Sequence, residues 1–150
     1  MPKVLIVDDD ETIRETLFEL LSETYLCQTA ETAEKAVARL ESDIYDVVLT
    51  DISMPGLSGL ELLGQVRQRY PTTPVIVISG IGDAEHARGL IKLGAFDFLL
   101  KPFSLDVVEK SVKLAVEYRE RILANPEEAG GGNDPEDAES EGKSVNKDRL

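Results

Sequence analysis

Five short runs of apolar and β-branched residues recur along the chain, and segments with helical spacing separate them. The runs cover residues 4–7, 25–29, 47–50, 75–79 and 96–100. Strands that alternate with helices predict a parallel β-sheet. The run at 25–29 mixes polar and apolar residues, which suits an edge strand, whereas the other four are nearly all apolar. We therefore expect those four to be central strands, covered by helices on both faces.

The segments between the runs carry apolar residues at intervals of three and four, which is the spacing of a helix with one buried face. Two of the segments show it at Ile13, Leu17, Leu20 and Leu21 and at Val108, Val112, Ala115 and Val116. Residues typical of helix N-caps precede helical segments at Thr32, Ser58, Asp83 and Ser104. The sequence therefore predicts an α/β fold with a doubly wound, five-stranded parallel sheet and helices on both of its faces.

The helical pattern stops near residue 123. Residues 124–150 are rich in glycine, proline, serine and acidic residues, and they contain no aromatic residue. Such a segment buries too little apolar surface to offset the entropy lost when a chain becomes ordered. We predict that one domain occupies residues 1–123 and that residues 124–150 form a disordered acidic tail or a truncated linker.

The composition adds a strong negative charge to this picture. Of the 150 residues, 29 are acidic and 16 are basic, which gives a formal net charge of −13. A chain this acidic repels phosphate backbones and anionic lipids, so we expect no direct binding to nucleic acid or to membranes. No apolar run has the length of a membrane span, and Cys27, the single cysteine, excludes an internal disulfide. We expect a cytoplasmic protein.

Polar side chains follow four of the predicted strands at the points where the strands end. Asp8 and Asp9 follow the first strand, Asp51 ends the third, Ser79 ends the fourth and Lys101 follows the fifth. Because the carboxyl ends of parallel strands share one edge of a sheet, these side chains should lie close together. Clustered carboxylates repel one another unless a cation bridges them, and oxygen ligands favour Mg²⁺, with Mn²⁺ as an alternative. A carboxylate, an ammonium group and a hydroxyl beside such a cation could accept and hold a phosphoryl group.

The same residues belong to four short motifs, which occur in order at residues 7–9, 51–56, 79–80 and 101–103. On these motifs the sequence resembles the receiver domains of bacterial two-component response regulators, in their chemotaxis-type single-domain form. The resemblance spans roughly residues 3–122. It implies a flavodoxin-like (βα)5 fold in which the strands have the order 2-1-3-4-5.

The resemblance also implies a phosphoacceptor function, in which Asp51 takes a phosphoryl group from a sensor histidine kinase or a phosphotransfer protein. The implied Mg²⁺ ligands are the carboxylates of Asp8, Asp9 and Asp51 and the backbone carbonyl of Ser53. The residues implied to contact the phosphoryl group are Ser79, Gly80 and Lys101. Such a protein catalyses its own phosphorylation and slow dephosphorylation without turning over a separate substrate, so we do not expect an enzyme in the usual sense.

A conformational switch follows from the same resemblance. The Ser79 hydroxyl would move toward the phosphoryl group and Phe98 would turn inward, which reshapes the face made by the fourth helix, the fifth strand and the fifth helix. That face would bind a downstream protein, and the receiver would be a monomer or a phosphorylation-dependent dimer. The bond before Pro102 is a candidate cis peptide. Ser53 and Ile81 are implied to tune hydrolysis, and Ile81, which cannot orient water, predicts slow loss of the phosphoryl group.

Two alternatives stay open at the level of the sequence. The chain could be the receiver part of a larger transcriptional activator or hybrid kinase. Residues 4–12 also resemble the opening motif of haloacid-dehalogenase-type phosphatases, with Asp8 as nucleophile and Asp10 as general acid, but no suitable acidic fourth motif of that family follows Lys101 within the part predicted to fold. In the receiver hypothesis Asp10 only caps a helix. His86, the single histidine, is expected at the surface.

Overall fold

In the computed structural model, which describes residues 1–80 and 84–125, five strands alternate with five helices. The elements in chain order are β1 (Lys3–Val7), α1 (Glu11–Leu21), β2 (Leu26–Ala30), α2 (Ala33–Ser42), β3 (Val47–Asp51), α3 (Gly59–Arg69), β4 (Val75–Ser79), α4 (Ala84–Lys92), β5 (Asp97–Leu100) and α5 (Leu105–Ala124). The strands are all parallel and have the order β2-β1-β3-β4-β5. The predicted doubly wound, flavodoxin-like fold is confirmed.

The central strands are apolar throughout because helices cover both faces of the sheet. Alternate residues of a strand point to opposite faces. In β1, Val4 and Ile6 pack in an apolar cluster with α1 and α5, whereas Leu5 and Val7 pack in a second cluster with α2, α3 and α4. The sheet is therefore the middle of three layers. Because helices cover both faces, polar side chains of the strands can cluster only at the strand ends.

The prediction of four central strands is correct for three of the runs and wrong for the last. β5 pairs with β4 and forms the second edge of the sheet, opposite β2. Phe98 nevertheless packs in the cluster that contains α4, and Leu99 packs in the cluster that contains α5. Apolar residues along a strand indicate that helices cover both of its faces, not that it has strands on both sides. Helices cover both faces of β5, although within the described residues it pairs with one strand only. The apolar pattern therefore could not distinguish this edge from a central position.

Helix starts agree with the predicted N-caps wherever the structure describes them. Backbone amides in the first helical turn donate hydrogen bonds to side-chain oxygens of Asp10, Thr32, Ser58 and Ser104. At Ser58 the backbone amide also donates to the Glu61 carboxylate, which completes a capping box. One such cap stabilises a helix by about 1 kcal/mol. The predicted cap at Asp83 lies outside the described residues.

The last described helix, α5, ends at Ala124 and has Asn125 as its C-cap. Residues 126–150, which make up most of the predicted acidic tail, lie outside the described residues, so the disorder of the tail stays a prediction. Within residues 1–80 and 84–125, no helix combines the length and the apolar character that crossing a membrane requires.

Candidate functional site

Three carboxylates meet at the carboxyl end of the sheet, as the strand ends predict. Asp8 and Asp9 directly follow β1, and Asp51 is the last residue of the neighbouring strand β3. One carboxylate oxygen from each of the three lies within 4.8 Å of the other two. Asp8 is 0% and Asp51 4% exposed, whereas Asp9 is open to solvent. The cluster therefore has two buried ligands and one exposed ligand, which suits a cation that enters from solvent.

The Asp8 carboxyl is the group in this cluster that most needs a positive partner. Its Oδ1 accepts a hydrogen bond from the Asp10 amide at 2.9 Å, whereas its Oδ2 is buried and has no hydrogen-bond partner among the described residues. Burial raises the pKa of Asp8 to about 6, and the negative charges of Asp51 and Asp9 add to this effect. Burying a carboxylate oxygen without a hydrogen-bond partner costs free energy. A hard divalent cation such as Mg²⁺, bound to that oxygen, would offset this cost, so the residues present fit the cation.

Replacing Asp8 by asparagine is expected to stabilise the metal-free protein at neutral pH. The folded-state pKa of about 6 lies above the ordinary value of 3.8, so between these values the native state binds more protons than the unfolded state. The free energy of unfolding therefore falls as the pH rises through this window. Asp8→Asn removes this decrease and should raise the free energy of unfolding by about 1–2 kcal/mol near neutral pH. Thermal unfolding in the presence of a chelator, followed from about pH 4 to about pH 7, measures the difference.

The exposed neighbour Asp9 supplies the matched control for this prediction. Asp9→Asn changes the same formal charge without relieving a buried carboxylate, so its unfolding profile should stay parallel to that of the wild type. Superimposable profiles for Asp8→Asn and the wild type would show that the buried carboxyl carries no such cost.

A lysine at the end of β5 completes the charge pattern around Asp51. The Nζ of Lys101 lies 3.3 Å from Oδ2 of Asp51, and the lysine is the residue directly after β5. The Lys101–Pro102 peptide bond is cis, as the resemblance implies. The ammonium group faces the carboxylate at a long ion-pair distance, where it can also reach an oxygen of a group attached to Asp51.

The end of β4 brings a hydroxyl and an open space to the same edge of the sheet. Ser79 is the last residue of β4 and is fully buried. It stands next in the chain to Ile78, which pairs with Asp51 across the sheet. Gly80 is exposed, and a Cβ atom added there would meet nothing within 4 Å. Gly80 therefore leaves open space at this edge of the sheet, and its contact with a phosphoryl group stays a prediction.

The loop between β3 and α3 folds closely around Asp51. The Ser53 amide donates to Oδ1 of Asp51 at 3.4 Å, and Ser53 is exposed. The role of its carbonyl as a metal ligand stays a prediction. Sequence reasoning missed Gly59, the first residue of α3, which packs so closely on this loop that an ideal Cβ would lie 2.1 Å from the Asp51 carbonyl oxygen. The one signal in the sequence is a glycine directly after the helix cap Ser58.

The prediction that His86 is a surface residue is wrong. His86 is half-buried, its Nε2 lies 3.4 Å from the Ser79 hydroxyl, and its ring stands edge-on to Phe98 with centroids 5.9 Å apart. The polar neighbours of His86 in the sequence gave no sign of this, because they do not reveal which side of α4 faces the sheet. Ile81, the other implied residue in this region, lies outside the described residues.

Comparison with known proteins gives a consistent result. The family model described as "Response regulator receiver domain" matches residues 4–113. The DNA-binding transcriptional regulator NtrC of Salmonella typhimurium is 41% identical over 116 residues, which cover 77% of this chain and 25% of that protein. The chain thus spans about a quarter of the length of this curated relative.

Solved structures agree with the sequence comparison. A response regulator receiver domain protein from Clostridium thermocellum is 30% identical, with a TM-score of 0.76, and the match covers 82% of this chain and 99% of that one. The receiver domain of NtrX from Brucella abortus is 37% identical, with a TM-score of 0.72 and coverage of 76% and 98%. Since the family model matches well over half of the chain and includes all three clustered carboxylates, the chain belongs to the family of response regulator receiver domains.

Proposed function

We propose that Asp51 is the phosphoacceptor of a two-component signalling system and takes its phosphoryl group from a phosphohistidine. The donor would be a sensor histidine kinase or a phosphotransfer protein. The observation that carries this proposal is the environment of Asp51, which has two further carboxylates within 4.8 Å and the Lys101 ammonium at 3.3 Å. A carboxylate nucleophile between a cation site and an ammonium group suits attack on a phosphorus atom.

The reaction needs little more than positioning and charge. A carboxylate oxygen of Asp51 attacks the phosphorus atom, so an O–P bond forms as the N–P bond to the histidine breaks, and the imidazole keeps the electron pair and takes a proton from solvent. Lys101 and the Ser79 hydroxyl donate hydrogen bonds to the phosphoryl oxygens. Mg²⁺ bound by Asp8, Asp9, Asp51 and the Ser53 carbonyl would offset negative charge. The product stays on the protein, so we propose a signalling protein and not an enzyme that turns over a separate substrate.

The face made by α4, β5 and α5 carries exposed apolar side chains, which supports a protein as the downstream partner. Among the apolar side chains of these elements and of the residue directly after α4, several stand about half exposed, including Ile91, Leu93, Leu100 and Val107. A phosphoryl group that favours one of two pre-existing arrangements of this face would change its affinity for a partner. The match covers a quarter of NtrC, which is described as a DNA-binding transcriptional regulator. This supports the second candidate, in which the chain is the receiver part of a longer regulator. The net charge of −13 supports protein contact over direct DNA contact for these residues.

Acetyl phosphate and Mg²⁺ provide the direct test, with intact mass as the readout. The wild type should gain a single group of about 80 Da, and a chelator should prevent the gain. Asp9→Asn removes one metal ligand and should slow the reaction by about tenfold or more at limiting Mg²⁺.

Asp10→Asn is the matched control, because asparagine caps α1 as well as aspartate does and Asp10 stands next to the cluster without joining it. An Asp9→Asn variant that behaves like Asp10→Asn would argue against the metal site. Steady release of phosphate that depends on Asp8 and not on Asp51 would replace the proposal with a phosphatase.

A further inference from the structure

The imidazole of His86 joins two side chains that belong to different strands. Ser79 ends β4, Phe98 lies in β5, and His86 on α4 contacts both of them. The Nε2 atom is 3.4 Å from the Ser79 Oγ, and the His86 and Phe98 rings are tilted by 78° at a centroid distance of 5.9 Å. Edge-to-face ring pairs of this kind are attractive. One ring therefore links the end of β4 to the outer face of β5.

A Ser79 hydroxyl that donates to Nε2 of His86 cannot also donate to a phosphoryl group on Asp51. A hydroxyl has a single hydrogen to donate. If Nε2 accepts that hydrogen, the hydroxyl must turn away before it can donate to a phosphoryl oxygen. If Nε2 instead carries the hydrogen and donates it to Oγ, the hydroxyl keeps its own hydrogen for a phosphoryl oxygen and no competition arises. The competition therefore belongs to the tautomer in which Nε2 accepts from Ser79, and we assign that tautomer to the unphosphorylated protein.

We propose that His86 is a positioning residue that holds Ser79 and Phe98 together in the unphosphorylated protein and is released by both when Asp51 is phosphorylated. The inference rests on the proposed function, since it assumes a phosphoryl group on Asp51. It adds a third member to the switch. Because the imidazole touches both side chains, departure of the Ser79 hydroxyl removes a contact that helps to hold the ring beside Phe98.

The test measures the apparent affinity for beryllofluoride, a phosphoryl analogue, in the presence of Mg²⁺. His86→Ala should bind beryllofluoride about threefold to tenfold more tightly than the wild type, the range that loss of one competing hydrogen bond gives. In a Ser79→Ala background the same substitution should have no effect, because the competition is gone. His86→Gln, which keeps a hydrogen-bonding group, should restore much of the wild-type affinity. Glu85→Ala, on the exposed side of α4, is the control for damage to the helix.

Nuclear magnetic resonance supplies a readout that a merely structural role would not move. Addition of beryllofluoride should shift the Nε2 resonance of His86 and the ring resonances of Phe98 together in the wild type, and neither should shift in Asp51→Asn. Equal effects of His86→Ala with and without Ser79, or weaker binding by His86→Ala, would overturn the role of His86 while leaving the phosphoacceptor proposal intact. A wild type that does not bind beryllofluoride would overturn both.

Discussion

Replacing Asp51 by asparagine is expected to abolish phosphorylation of the protein by acetyl phosphate. The neutral amide is a poor nucleophile, and it removes both the negative partner of Lys101 and one of the three clustered carboxylates. Loss of a nucleophile lowers such a rate by on the order of 10⁴-fold. Intact-mass measurement after incubation with acetyl phosphate and Mg²⁺ should show the unmodified mass for the variant, where the wild type gains about 80 Da.

The same substitution should not damage the fold, which makes the loss interpretable. Asp51 is buried next to Asp8, so removal of its charge relieves repulsion, and the variant should unfold at the same temperature as the wild type or higher. Lys101→Ala, which keeps the nucleophile and removes one donor, should lower the rate less, by about 10² to 10³-fold. An adduct of equal yield in Asp51→Asn, mapped to another residue, would contradict the assignment of Asp51.

Replacing Gly59 by alanine is expected to destabilise the domain strongly, because the backbone of Asp51 and Ile52 leaves no space for a side chain at this position. An ideal Cβ at this position would lie 2.1 Å from the carbonyl oxygen of Asp51 and 2.7 Å from the Cα of Ile52. Both are backbone atoms at the end of β3, so no side-chain rotation relieves the overlap. The amide of Gly59 also donates to the Ile52 carbonyl at 3.1 Å, which keeps the start of α3 on this segment. We expect a loss of about 3 kcal/mol or more in the free energy of unfolding, measured in urea.

Another glycine of the same helix gives the matched control. Gly64 lies in the middle of α3, and a Cβ there would meet nothing within 4 Å. Gly64→Ala should therefore stabilise the protein by about 0.5–1 kcal/mol, through helix propensity alone. If Gly59→Ala and Gly64→Ala changed stability alike, the close approach of α3 to Asp51 would be absent in solution. Any folded Gly59→Ala protein should also accept phosphate more slowly, since the added methyl group displaces the segment that carries Asp51.

Much of the fold followed from local patterns, because these patterns report solvent exposure residue by residue. A strand covered on both faces needs apolar residues at every position, and the runs that became β1, β3 and β4 have them. The cap residues Thr32 and Ser58 marked helix starts for an equally local reason, since a side-chain oxygen there serves the free amides of the first turn. The position of β5 at an edge left no such trace, because helices still cover its two faces.

The candidate site was also predictable in part from the sequence and in part only from the tertiary structure. Asp8, Asp9, Asp51 and Lys101 could be grouped from the sequence alone, since each stands at a strand end and the strand ends of a parallel sheet share one edge. The order of the strands then decided which of them meet. Neighbouring positions of β1 and β3 set the carboxylates within 4.8 Å, a distance that no spacing along the chain encodes.

The sequence by itself determined the fold class, the helix starts and the set of chemically active strand ends, because each depends on residues that are neighbours in the chain. Only the tertiary structure decided that His86 faces Ser79 and Phe98 and that Gly59 presses on the backbone of Asp51. Both contacts depend on how a helix is rotated and how closely it approaches the sheet. Those two quantities are set by the packing of the whole core, to which each residue contributes a small share.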